Sequence, residues 1–186
     1  YAGRRGAVFL SIMAGRGIGG MRAALGDAAA IVRAMPNTPA AVRQGITVAC
    51  AGPGVTAAQR ALCDRLLAAI GTVAWVEDEA LLDPVTAVSG SGPAYVFLLA
   101  ELLEQAAVEQ GISSDLARLL ARRTVSGAGA LLAASPEESA ALRRAVTSPG
   151  GTTQAALEVL MASAAWPATL RRAVAAATRR SRELAG

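Results

Sequence analysis

Ala29-Ala30-Ile31-Val32-Arg33-Ala34-Met35, followed at once by Pro36-Asn37-Thr38-Pro39, is the stretch on which the fold turns. The first part is apolar apart from Arg33 and reads as a strand; the paired prolines then force an extended loop, because proline disfavours helix in the residue before it. Upstream, Ala7 to Ala14 is another continuous apolar run, ending in Gly15, which fits a strand buried on both faces of a parallel sheet. A short helical segment from Met21 to Leu25 joins the two. Downstream, Ile46 to Ala51 is a third apolar strand. Thr56 and Gln59 then form a capping box for a helix whose Leu62, Leu66, Leu67 and Ile70 share one face, and which Gly71 ends. Thr72 to Val76 supplies a further strand. Strands alternating with helices predict a mostly parallel sheet covered by helices, the dinucleotide-binding architecture among others.

Beyond about Asp83 the strand signals stop and the rest reads as helix. Pro93 suits a first helical residue, and Glu101, Glu104, Gln105 and Glu109 make a single polar stripe on a mostly buried helix that Gly111 ends. Ser113 or Ser114 caps the next helix, in which Gly127 and Gly129 would let another backbone approach; Ser135-Pro136-Glu137-Glu138 reads as a capping box opening a third. The expected division is an α/β portion over residues 1–82 and an all-α portion over 83–186. Helices this apolar would not stand as a lone thin layer, so a homodimer is expected to bury their surplus.

Composition narrows the chemistry. The 186 residues are 53% apolar and 17% charged, enough to bury a substantial core, and charges break the apolar runs before the roughly 18 to 20 residues that cross a bilayer. A soluble, cytoplasmic protein with no membrane partner is expected. There is no His, and all 18 basic residues are Arg, so the commonest general base and the Schiff-base amine are both absent. Cys50 and Cys63 are too far apart for a metal-type pair and read as small apolar residues in a reducing compartment. The net charge of +4 is spread over scattered arginines with few aromatics, which argues against a nucleic-acid partner. The chemistry must then come from a bound cofactor rather than a metal.

Three motifs carry sites. Ser148-Pro149-Gly150-Gly151-Thr152-Thr153 precedes a helical period, so its glycine amides, helix N-terminus and threonine hydroxyls would suit a carboxylate; an ordinary N-capped turn has the same spacing. Ser89-Gly90-Ser91-Gly92-Pro93 is a small-residue turn that either approaches a ligand or joins two helices. Met35-Pro36-Asn37-Thr38-Pro39 follows a strand, where open sheets place their ligand crevice, and Asn37 or Thr38 could bond a carboxamide. Gly15-Arg16-Gly17-Ile18-Gly19-Gly20 also matches G-x-G-x-x-G. The helix after it is short, however, and the next strand ends in Arg33 and Met35 instead of an acid, although Arg33 could meet a 2′-phosphate.

These three motifs, in this order and at these separations, resemble the pyrroline-5-carboxylate reductases, with similarity running from about Ser11 to Leu184. The resemblance implies the C-terminal portion of a Rossmann-type domain followed by a helical dimerisation domain. It implies reduction of 1-pyrroline-5-carboxylate to L-proline, the last step of proline biosynthesis, by hydride from NADPH or NADH. Ile12, Met13, Ala14 and Gly15, with Met35, Pro36, Asn37 and Thr38, would lie beside the cofactor, which demotes the G-x-G-x-x-G match. Ser148, Gly150, Gly151, Thr152 and Thr153 would hold the substrate carboxylate in a site completed across a homodimer or larger homo-oligomer. Thr153 is the candidate catalytic residue, and Glu79 matches an acidic position near the substrate. Ala145 departs from relatives that carry an Asn touching the cofactor.

Family members also open with a strand and a G-x-G-x-x-G turn that hold the cofactor's phosphates, and none precedes Tyr1. The sheet is therefore expected to lack its first strands, and the 186 residues alone to be poorly soluble or inactive. Two rival readings remain: another imine or hydroxyacid reductase of this architecture, separated by substrate profiling, and a non-catalytic dimerisation fragment, separated by reading the upstream coding sequence.

Overall fold

The computed structural model describes residues 6–185. They fall into two compact units, residues 6–93 with 173–185, and residues 94–172. In the first, β1 (Val8–Ser11), α1 (Ile18–Leu25), β2 (Ala30–Met35), β3 (Gly45–Ala51), α2 (Ala57–Ala68) and β4 (Gly71–Val76) build a four-stranded sheet in the order β1-β2-β3-β4. β1 pairs with β2, and β3 with β4, in parallel, each through a helical crossover. The sheet is thus mostly parallel, as expected, with one antiparallel step between β2 and β3. The reason is local: Pro36 to Gln44 holds only a 3₁₀ turn, Thr38–Val42, too short for the crossover a parallel pair needs.

Alternation along the strands divides the core. Ile31, Val48 and Cys50 pack on one face with Ile18 and Met21 of α1 and Leu82 of α3 (Leu82–Val85). Val32, Ala34 and Ala49 face Cys63 and Leu67 of α2 on the other. The Thr56–Gln59 capping box forms as read. The run from Ala7 to Ala14 does not stay a strand throughout: pairing ends at Ser11 opposite Arg33, and Gly15 turns the chain in the left-handed region at φ 69°.

Burial pushes the thiols of Cys50 and Cys63 above the ordinary value of 9.0, so both stay protonated at neutral pH. The stability this gives is complete below the unfolded thiol's value and is lost as the pH climbs from there toward the raised folded value. Thermal unfolding scans should therefore show the midpoint falling above about pH 9, and a Cys50→Ala, Cys63→Ala double variant should lose that alkaline slope.

The helical region departs from the sequence reading in four ways. Ser89 to Gly92 is not a corner: Thr86–Gly90 is a π-helical turn, with the Ser91 N–H donating to the Thr86 carbonyl at 2.8 Å, leading into α4 (Gly92–Glu109). Ser135 does not open a capping box; its hydroxyl accepts from Glu137 N–H, and α6 (Ser139–Ala145) starts after Glu138. The compact units divide between Pro93 and Ala94, against the 82/83 read from sequence, and the end of α8 (Trp166–Ala185) belongs with the first unit, Ser181 Oγ lying 2.7 Å from Asp83 Oδ1. Finally, α4 was expected to be mostly buried, yet no α4 residue is buried within the single chain.

The second unit comprises most of α4, α5 (Ser114–Ala134), α6, α7 (Thr152–Leu160) and the start of α8. Phe97, Leu98, Leu102, Leu119, Leu120 and Leu131 are all exposed. By length and composition the helical run Glu79–Glu109 is apolar enough to cross a membrane, a property hidden from a count of uninterrupted apolar runs.

Candidate active site

Because β1 and β2 are parallel, the loops after them leave the same end of the sheet. Ile12 and Met13 follow β1 and are 61% and 54% exposed, unusual for such side chains beside a core strand. Gly15 comes next, and a Cβ there would lie 2.8 Å from the Leu184 carbonyl oxygen, so no other residue fits. After β2, Met35 reaches the π-helical turn: a Cβ on Gly90 would stand 3.4 Å from Met35 Cε. Two of the three motifs thus meet, Met35 of one against Gly90 of the other.

Ala14, Gly15, Arg33, Met35, Thr86 and Ser91, with residues near the end of α8, line a cavity of about 240 Å³. That is below the roughly 300 to 1,000 Å³ of a site enclosing a whole small-molecule ligand. A cavity of this size has room for part of a large ligand and not the whole, and Met35 gives it an apolar wall. Thr86 and Ser91, the two ends of the π turn, form part of its wall.

Asn37 Oδ1 accepts from Ile46 N–H at 2.9 Å and pins the proline loop to β3. Thr38 is exposed and opens the 3₁₀ turn, with Pro36 half-buried before it. At the G-x-G-x-x-G match the helix start is occupied by Glu79. Gly17 is the N-cap of α1 and brings no side chain, and the Glu79 carboxylate accepts from Ile18 N–H at 2.9 Å and from Arg33 Nη1 at 2.9 Å. The helix terminus that would greet a phosphate holds an internal carboxylate instead.

The Ser148–Thr153 motif belongs to the second unit. Gly150 takes φ 68°, the left-handed region that favours glycine, and Gly151 is the N-cap of α7. The amides read from sequence as donors are already used: Gly150 N–H donates to Gln154 Oε1 at 2.8 Å and Gly151 N–H to the Ser148 carbonyl at 3.0 Å. The first helical bond is Ala155 N–H to the Gly151 carbonyl, leaving the Thr152, Thr153 and Gln154 amides as the unclaimed donors. The two threonine hydroxyls make no hydrogen bond among the described residues. The donors left free at the opening of α7 are thus those of Thr152, Thr153 and Gln154 rather than the two glycine amides. Gln154, which braces the turn, was missed; its signal was its place three residues after Gly151, the position of a capping-box partner.

A family model described as pyrroline-5-carboxylate reductase dimerisation matches residues 79–184. The chain is 44% identical over 178 residues to a pyrroline-5-carboxylate reductase of Pseudomonas aeruginosa, covering 96% of this chain and 65% of that protein. It is 43% identical to one of Arabidopsis thaliana, covering 82% and 55%. It thus spans about two thirds or less of the length of these relatives. Among solved structures, a pyrroline-5-carboxylate reductase of Coxiella burnetii matches with TM-score 0.90 and 39% identity, over 95% of this chain and 65% of that one. The Plasmodium falciparum enzyme with NADP bound matches with TM-score 0.84 and 31% identity, over 96% and 70%.

Proposed function

Since this chain belongs to the pyrroline-5-carboxylate reductase family, we propose that it serves to reduce 1-pyrroline-5-carboxylate to L-proline with NADPH or NADH. The observation that carries this reading is the glycine turn opening α7, where three amides and two threonine hydroxyls in succession have no partner among the described residues, donors that suit a carboxylate. The nicotinamide, when bound, supplies the hydride. Thr152, Thr153 and the Gln154 amide hold the substrate carboxylate, Thr153 touching the substrate as the proposed catalytic residue. Ile12, Met13 and Met35 offer apolar surface to the nicotinamide, and Gly15 gives it close approach. An imine nitrogen protonates readily in water, so orientation counts for more than a strong acid, and a site without His meets the need.

The exposed face of α4 and α5 is proposed to be covered by a second copy. The family model over these helices is one of dimerisation, and the polar stripe Glu101, Glu104, Gln105 and Glu109 suits a protein interface better than lipid. Two free buried cysteines support a cytoplasmic setting.

The test is turnover by the protein in its full length, with any residues beyond these 186 present. Reduced nicotinamide should be consumed one for one with L-proline formed from 1-pyrroline-5-carboxylate. Preference for a 2-oxo acid would favour a different reductase, and inactivity on both an assembly role. Gln154→Ala, which unties Gly150, should raise KM for the imine roughly 3- to 10-fold with kcat little changed, as measured by initial rates.

A further inference from the structure

We infer that Glu79 is a positioning residue, which clamps the Ile12–Gly17 loop and holds it in the shape the reaction needs. The role of the loop rests on the reductase reading; the clamp itself does not. Ile18 is buried, and its N–H, one of the first-turn amides that a helix leaves without an internal partner, has Glu79 Oε1 as its acceptor among the described residues. The same oxygen takes Arg33, which is 7% exposed in the middle of the sheet and pairs with no other acid among the described residues. One carboxylate therefore satisfies the amide of a buried residue and a nearly buried guanidinium together, and its removal would leave both without a protein partner.

The carboxylate is itself held firmly. Glu79 begins a 3₁₀ turn, Glu79–Leu81, which Asp78 caps through Ala80 N–H at 2.9 Å, and the chain then enters the core at Leu82. At the other end of the loop Gly15 rests against the Leu184 carbonyl. The loop is thus fixed at Gly15 and at Ile18, leaving Ile12 and Met13 presented between strand and clamp. Arg33 links the clamp to the site, since its side chain also lines the cavity beside Ala14, Gly15 and Met35. Slackening the clamp should displace the loop by a fraction of a helical turn without touching the carboxylate site of the other unit. A misplacement near 1 Å costs on the order of 100-fold in rate.

The experiment uses the full-length protein and Glu79→Ala, Glu79→Gln and Arg33→Met. Without coenzyme, amide hydrogen exchange at Ile18 in Glu79→Ala should speed up at least about 10-fold while β3 and β4 keep their protection. In steady-state kinetics Glu79→Gln should lower kcat on the order of 10- to 100-fold and raise KM for NADPH, with KM for 1-pyrroline-5-carboxylate within about twofold of wild type. Arg33→Met should reproduce the kinetic split in weaker form, because the amide bond survives. A rise confined to KM for the imine, with Ile18 exchange unchanged, would make Glu79 a substrate ligand and overturn the inference. A lower Tm with unchanged kinetics of the folded enzyme would reduce it to a structural ion pair and overturn it equally. Should the wild type not reduce the imine at all, the functional reading fails, and exchange at Ile18 still decides the clamp.

Discussion

Thr153→Ala is expected to raise KM for 1-pyrroline-5-carboxylate roughly 10- to 150-fold, the worth of about 1.5 to 3 kcal/mol for a hydrogen bond to a charged group, with kcat lowered far less. Its hydroxyl has no other partner among the described residues, so the substitution frees nothing that must find a new bond. Gly150 keeps its left-handed conformation and its bond to Gln154 whichever residue stands at 153. Helix propensity at this second position of α7 does not suffer from alanine, so the fold is expected to hold. Thr153→Ser, which keeps the donor, should recover most of the loss. Initial rates across substrate concentration measure both, and an equal fall in kcat and kcat/KM would mean that the hydroxyl acts only in the transition state.

The second large effect concerns the helical unit. Phe97 is 67% exposed on α4, and Leu119 lies exposed on α5, in a unit whose only buried apolar residues are Ala117 and Ala121. Burying a phenylalanine gains roughly 2 to 3 kcal/mol, and a glutamate in its place adds an unpaired charge to a dry interface. Phe97→Glu with Leu119→Glu should weaken self-association by more than about 1,000-fold, counting both effects at two sites. Because the helices have so little core of their own, dissociation and loss of helical signal should come together, as in dimers without a stable folded monomer. Sedimentation and circular dichroism over a concentration series would show it; an unchanged assembly would place the interface elsewhere.

Much of this was legible residue by residue. Apolar runs marked the four strands because both faces of the sheet are covered, and the Thr56–Gln59 box is read directly from two side chains. The antiparallel step was hidden because Pro36 and Pro39 announce an extended loop without saying which way it returns. The π turn was invisible for a related reason, since Ser89-Gly90-Ser91-Gly92 has turn composition whether or not a neighbouring chain holds it helical; here Met35 packs against it. Long-range pairs escaped altogether. Arg33 and Glu79 are separated by 46 residues, and Ser181 and Asp83 by 98, distances over which local pattern carries no information. Which amides of the Ser148–Thr153 turn stay free was not legible, because glycines advertise flexible backbone while the free donors are set by where helical bonding begins.

The most direct measurement is an L-proline titration followed through the amide signals of Gly150 to Gln154, with Thr153→Ala as control, since it requires neither coenzyme nor turnover. Saturable shifts largest at Thr152, Thr153 and Gln154, and lost in the variant, are the expected result. No shift in a well-folded, self-associated protein would contradict a carboxylate site at the opening of α7, and the reductase reading with it.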